Sequence, residues 1–340
     1  MIPAAWLAFL GLVLALLALD LFVFHRRPHA VSIREALLWT GFWILLALLL
    51  TPVIHHLYDR QWLGLGRELG LALTGRQAAL QYLTAYVIEK SLSVDNLFVI
   101  ALVFSYFRVP AASQHRVLFW GILGSLVMRG AMIVLGVGLL ARLAWTSYLL
   151  GGLLLLTAAR MLIMRHDNFA PERNPLVRLA ARCCPIADRF DGDRFFTRAG
   201  GRRVATPLLL ALLMVESSDL LFAVDSVPAA LAVSRDPFIV FSSNTLAVLG
   251  MRSLYFALAG ILDRLRHLKT SLVFLLAYVG VKMALAHHVA IPTLASLAVI
   301  GGILAVGVLA SLVAGRRDTA ALAAPPPPAG GAPDGAQHEE

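Results

Sequence analysis

Nine stretches of this 340-residue chain are apolar for the length that a bilayer requires, about 20 residues each: 3–24, 36–56, 80–107, 117–140, 143–165, 205–233, 238–262, 270–288 and 290–314. Composition agrees with a membrane setting: 59% of residues are hydrophobic and 14% charged, against about 25% charged in soluble domains. The chain reads as an all-α polytopic membrane protein with about nine transmembrane helices. The first run is long enough to span by itself and ends in no small-residue cleavage site, so it reads as a retained helix and not a removable signal.

Orientation follows from the basic residues, which cytoplasmic loops hold in excess. One alternate set of segments holds 19 of the 29 Lys and Arg, nine of them in the long loop after the fifth run, and the opposite set holds 5. The expected topology is multi-pass in the bacterial inner membrane, with the N-terminus outside and the C-terminus cytoplasmic. The same bias accounts for the net charge of +9, so no nucleic-acid partner is implied. The lipid bilayer, with its anionic head groups, is the partner that this charge fits.

The organisation expected is two N-terminal helices and an external loop (1–79), a three-helix unit (80–165), a polar Arg-rich cytoplasmic loop (166–204), a second three-helix unit (205–288), a last helix (289–314) and a Pro-rich disordered tail (315–340). The two units resemble one another. Ser93-x-Asp95-x-Leu97-Phe98 returns as Ser217-x-Asp219-x-Leu221-Phe222 at an offset of 124. Met128-Arg129 returns as Met251-Arg252 at 123, and Arg160-Met161 as Lys282-Met283 at 122. Three ordered matches with a near-constant offset describe a 3+3 repeat of spans 3–5 and 6–8. An odd number of helices per unit makes the repeat inverted, the arrangement that places a transporter's substrate site near the midplane.

The acidic residues sit where that site belongs. Span three carries Glu89 and Asp95, and span six carries Glu216, Asp219 and Asp225. A charge at the bilayer centre costs about 2.5–3.5 kcal/mol on insertion scales, so such residues face protein or water and mark function. Asp95 and Asp219, repeat equivalents, are expected to meet across the interface, with Glu216 on the Asp219 face and with Glu89 and Asp225 two turns outward. The cations placed among them are Lys90, Arg129, Arg252 and Lys282, and Asn96 and Asn244 serve either as ligands or as ordinary interhelical amides. Pro228 leaves the carbonyl of Val224 without its helical donor, a further candidate ligand. Oxygen donors alone suit Mn²⁺, Mg²⁺ or Ca²⁺, and no organic cofactor is implied.

Other polar residues read more simply. Asp20 is placed at the inner interface, Arg160 snorkels, and the pairs His55-His56 and His287-His288 sit at helix ends. Cys183 and Cys184 lie in the cytoplasmic loop as incidental thiols. Gly121, Gly124, Gly130, Gly136 and Gly138 mark close packing on span four.

The stretches EKSLSVDNLFVIALVF and VESSDLLFAVDSVPA, together with the segment NTLAVLGMRSLYFAL, resemble the TerC family of bacterial integral membrane proteins over roughly residues 80–290. That family includes Alx-type manganese exporters and stands among the LysE-like transporters. The resemblance implies Mn²⁺ export, with a link to tellurium resistance, and implies that Glu89, Asp95, Glu216, Asp219 and Asp225 are its acidic metal-binding positions.

Two classes of function stay open. One is a secondary transporter that moves a hard divalent ion outward, Mn²⁺ first and Ca²⁺ as an alternative, by exchange with protons. The other is an intramembrane scaffold that binds metal or membrane-protein partners, or a second copy of itself, without transport. No H-E-x-x-H, Walker or G-x-S-x-G pattern is present, so an enzyme is not expected.

Overall fold

The computed structural model describes residues 4–25, 32–62, 65, 73–143, 145–163, 174, 177–179, 182, 184–187, 189–199, 202–258, 266–286, 288–289 and 291–323. Among them are ten helices and one hairpin: α1 (Ala4–His25), α2 (Ile33–Asp59), α3 (Gly75–Tyr106), α4 (Ala111–Arg142), α5 (Thr146–Ile163), β1 (Phe196–Ala199), β2 (Arg202–Ala205), α6 (Pro207–Leu231), α7 (Pro237–Leu249), α8 (Met251–Leu258), α9 (Arg266–Ala284) and α10 (Thr293–Ala323). Five are long and apolar enough to cross a membrane: α2, α4, α5, α6 and the Thr293–Ser311 part of α10. α3 is as long as α4 but carries Glu89, Lys90 and Asp95 at its middle.

Local chemistry sets the helix starts. Thr74 and Gln77 form a reciprocal capping box at α3, Thr74 Oγ1 accepting from Gln77 N at 3.3 Å and Gln77 Oε1 from Thr74 N at 3.0 Å. Asp236 accepts from the amides of Phe238 and Ile239 at 2.9 and 3.3 Å, and Pro237 occupies the first position of α7.

The seventh expected span is not one helix. It stops at Leu249 and resumes at Met251, so α7 has 13 residues and rises only about 20 Å, too little to cross alone. Gly250 stands at the break. A Cβ there would stand 2.9 Å from Lys90 Nζ and 2.9 Å from Trp43 Cβ, so α2 and α3 approach the backbone where only glycine fits. Lys90 Nζ donates to Ala247 O at 3.3 Å, placing a cation on the carbonyl end of α7.

Two further expectations shift. The loop 166–204 contains the antiparallel hairpin β1–β2, registered Phe196 to Ala205 and Ala199 to Arg202, and Arg116 of α4 lies over the Phe195 ring at 5.3 Å. Residues 315–323, expected as tail, continue α10; residues 324–340 lie outside the described set, as do Cys183 and His287.

α7 is interior, with 11 of its 13 residues buried from Phe238 to Leu249, the polar run Ser242, Ser243, Asn244 and Thr245 included. α3 packs on α6 and α7, and α4 packs on the same two helices. α1 meets α7 through Trp6 and Phe9 against Phe238 and Phe241. α5 and α9 touch backbone to backbone, since a Cβ on Gly151 would come 2.9 Å from Gly280 O. α2 turns Leu37, Leu38, Leu45 and Leu49 outward, the side that lipid covers.

Candidate functional site

Helical phase selects what α3 offers to the interior. Glu89, Ser93 and Asn96 stand four and three residues apart, so they share one face, and all three are buried. Asp95 is one residue off this stripe and half-buried. The α3 residue hydrogen-bonded to Asp219 is therefore Asn96, whose Nδ2 donates to Asp219 Oδ1 at 2.6 Å. Because a carboxylate only accepts, the amide must present its NH₂ there. Asn96 Oδ1 is left buried without a hydrogen-bond partner.

The centre of the arrangement is Arg129, 2% exposed in the middle of α4. Its Nε and Nη2 approach Asp219 Oδ2 and Oδ1 at 3.3 and 3.1 Å, a two-point grip that only a guanidinium makes. Its Nη1 bonds Glu89 Oε1, donates to Ser226 Oγ at 3.1 Å and reaches Asn244 Oδ1 at 3.4 Å. Ser125, one turn earlier on α4, accepts from Nε at 3.1 Å. One cation thus ties α3, α4, α6 and α7 together through two carboxylates, two hydroxyls and an amide.

The remaining acids flank this knot. Glu216 is half-buried on α6, and its carboxylate presses against the backbone of Gly124, leaving no room for a Cβ there. Asp225 accepts from Thr157 Oγ1 of α5 at 2.8 Å and lies in electrostatic reach of Arg160. Among the described residues, no three His, Cys, Asp or Glu side chains converge as a metal-holding group. The five acids are spread along α3 and α6 instead of forming one cage.

Arg252 and Asp20 depart from expectation together. Arg252, 1% exposed, pairs with the Asp20 carboxylate and donates through Nη2 to Asp20 O at 3.0 Å. Asp20 is 4% exposed and not interfacial: burying a charge demands a partner, and the start of α8 supplies one. Lys90 caps α7, and Lys282 is half-buried on α9, which packs chiefly on α5 and α10. Nothing in the sequence singles out Ser226 or Thr157; Ser125, four residues before Arg129, is reachable from helical spacing alone.

Of the span-four glycines, Gly121, Gly130 and Gly136 meet Val215, Phe241 and Leu231, whereas Gly138 has open space. His288 contacts Tyr148, its Nε2 at 3.3 Å from the hydroxyl, joining the ends of α9 and α5.

A helical bundle with membrane-length apolar helices around a buried carboxylate–guanidinium network defines a multi-pass integral membrane protein. The pattern of the Integral membrane protein TerC family matches residues 74–319, and the chain belongs to that family. A membrane protein of Myxococcus xanthus is 48% identical over 314 residues, 92% of this chain and 93% of its own. An Escherichia coli K12 relative, 42% identical over 303 residues (89% of this chain, 92% of its own), carries the name Alx, for a proposed membrane-bound redox modulator. A Rickettsia bellii membrane protein is 33% identical over 309 residues, 91% of this chain and 97% of its own. No solved structure matches the chain.

Proposed function

We propose that this protein is a secondary transporter that exports a divalent cation, Mn²⁺ first, across the bacterial inner membrane in exchange for protons. The observation that carries this reading is the excess of acid at the α3–α6 crossing. α3 and α6 carry Glu89, Asp95, Glu216, Asp219 and Asp225, and at their contact Arg129 pairs with Glu89 and Asp219. Five carboxylates against Arg76 and Lys90 on the same two helices make a concentration of acid that a divalent ion or protons can neutralise. Protons and metal compete for the same oxygens, so loading by one releases the other without further machinery.

The architecture supports the same reading. If spans 3–5 and 6–8 form the inverted repeat, α3 exchanges with α6 and α4 with α7–α8, and the contact of α3 with α7 is then the counterpart of that of α4 with α6. Nine spans with the seventh broken, an outside N-terminus and a cytoplasmic C-terminus complete the topology. Redox modulation, the role in the name of the Alx relatives, is compatible with control of a redox-active ion.

The two-sided grip of Arg129 favours a second reading, a scaffold in which Glu89 and Asp219 are structural counter-ions. Inside-out vesicles separate the two. With a proton gradient, Mn²⁺ should accumulate, and flux should fall when the gradient is collapsed; a scaffold moves no Mn²⁺ under either condition.

A further inference from the structure

The connection between α5 and α6 ends in the hairpin β1–β2, and this hairpin is built into the start of α6. Thr206 N donates to Phe195 O at 2.9 Å and Thr206 Oγ1 to Arg194 O at 2.7 Å, one residue before Pro207 opens the helix. Strand alternation gives the hairpin two faces. Thr197 and Val204, which pair with each other, turn inward: Val204 is 7% exposed, and Thr197 Oγ1 donates to Asp191 Oδ2 at 2.7 Å.

The other face carries two rows. Phe196 pairs with Ala205, which also bridges to Ile186, and Phe196 and Ile186 are 50% and 38% exposed. In the next row Arg198 stands directly opposite Arg203, and both are exposed. Like charges directly opposite in a sheet are destabilising, and among the described residues neither arginine pairs with an acid; the ion pair nearby joins Arg194 to Asp191 at 3.6 Å. Along β2 the apolar row adjoins α6, and the basic row lies two residues, about 7 Å, farther from it.

We propose that this face docks on the bilayer surface where α6 enters it, with Phe196 and Ile186 in the head-group boundary and Arg198 and Arg203 on the phosphates of anionic phospholipid. The inference goes beyond the transport reading and stands without it. The order of the rows selects lipid. Interfacial amphipathic elements sink apolar side chains about 5–10 Å into the head-group boundary and keep their cations at head-group level, and the spacing of the two rows meets both demands at once. A soluble anion would use the guanidinium pair but leave Phe196 and Ile186 bare. Phosphate set against both guanidiniums also removes their mutual repulsion, through the forked hydrogen bonds that arginine offers.

Hydrogen exchange of the hairpin amides tests this on the full-length protein in nanodiscs, because opening the hairpin would have to release the lipid. Exchange should be about thirtyfold slower in discs of equal parts phosphatidylcholine and phosphatidylglycerol than in phosphatidylcholine alone, at about 1 kcal/mol per arginine, and high salt should remove the difference. Such discs present the same lipid on both faces, so the outcome does not depend on orientation. Arg198→Gln combined with Arg203→Gln should erase the difference, whereas Arg76→Gln, which removes an exposed arginine from the first turn of α3, should keep it. Equal exchange of the unaltered protein in the two lipids would overturn the proposal whether or not the variant folds, as would an undiminished difference in the double variant. The same slowing by inorganic phosphate in phosphatidylcholine discs would overturn it too, since the arginines would then hold a soluble anion.

Discussion

Arg129 on α4 holds Asp219 on α6 by two nitrogens at once, Nε to Oδ2 at 3.3 Å and Nη2 to Oδ1 at 3.1 Å, while its third nitrogen reaches Glu89 on α3. Lysine carries the same charge but is a single point with no fork. Arg129→Lys should therefore break one of the two links and lower stability by about 3–5 kcal/mol, the usual effect of losing one partner of a buried pair. Thermal unfolding in detergent measures it. In a cycle of Asp219→Asn with Arg129→Gln the double variant should lose less than the sum of the two single variants, although Glu89 is then left without its guanidinium; an additive effect of the two changes would mean that they do not interact.

Gly124 gives Glu216 its place, because a Cβ there would overlap the carboxylate. Gly124→Ala should destabilise the fold by about 1–3 kcal/mol and depress Mn²⁺ flux by moving Glu216. Gly138→Ala, on the same helix but with open space around it, should do neither. Equal flux in the two variants would remove Glu216 from the ion path.

The break in the seventh span rests on Gly250 and Lys90. Gly250→Ala should push Lys90 and the fully buried Trp43 away from the backbone, and Lys90→Met should strip the cap from Ala247 O. Each is expected to lower Mn²⁺ flux with the protein still inserted, and Gly250→Ala the more so, since its clash involves the rigid Trp43 Cβ as well as a movable ammonium. Normal flux in Gly250→Ala would show that the break is dispensable.

Much of this organisation is legible in the chain. Apolar run length marks the helices, and the five acids stand out because charge in such runs is costly. Which residues meet is less legible, because helical phase and tertiary pairing decide it. Asn96 bonds Asp219 because it shares the buried stripe of Glu89 and Ser93. Asp20 is paired with Arg252 across 232 positions, a contact that no local pattern announces. The split at Gly250 is hidden for a similar reason: the apolar run continues through it, and the close approach of Trp43 and Lys90 to that glycine comes from tertiary packing.

Topology is the premise under the inverted repeat, and it rests on the distribution of 29 basic residues. A reporter fused after Arg317 should read as cytoplasmic and one inserted at Gly75, where α3 begins, as external. Both on one side would dissolve the proposed symmetry relating Asp95 to Asp219.

Asp95→Asn and Asp219→Asn separate ion binding from helix pairing. Asn keeps the shape and one oxygen but not the charge, and a hard divalent ion needs the charge. For Asp219 the substitution also leaves Arg129 with only Glu89 as an acidic partner among its bonded contacts, so the variant should be less stable as well as inactive. Asp95 is half-buried beside the stripe, and Asp95→Asn should abolish export at a smaller loss of stability. Both should also abolish the weakening of Mn²⁺ binding as pH falls, because the carboxylate for which proton and metal compete is gone. Vesicle uptake and Mn²⁺ binding between pH 5 and 8, on proteins matched for expression, measure these outcomes. Near-normal export with an unchanged pH response in either variant would assign that aspartate to helix pairing alone.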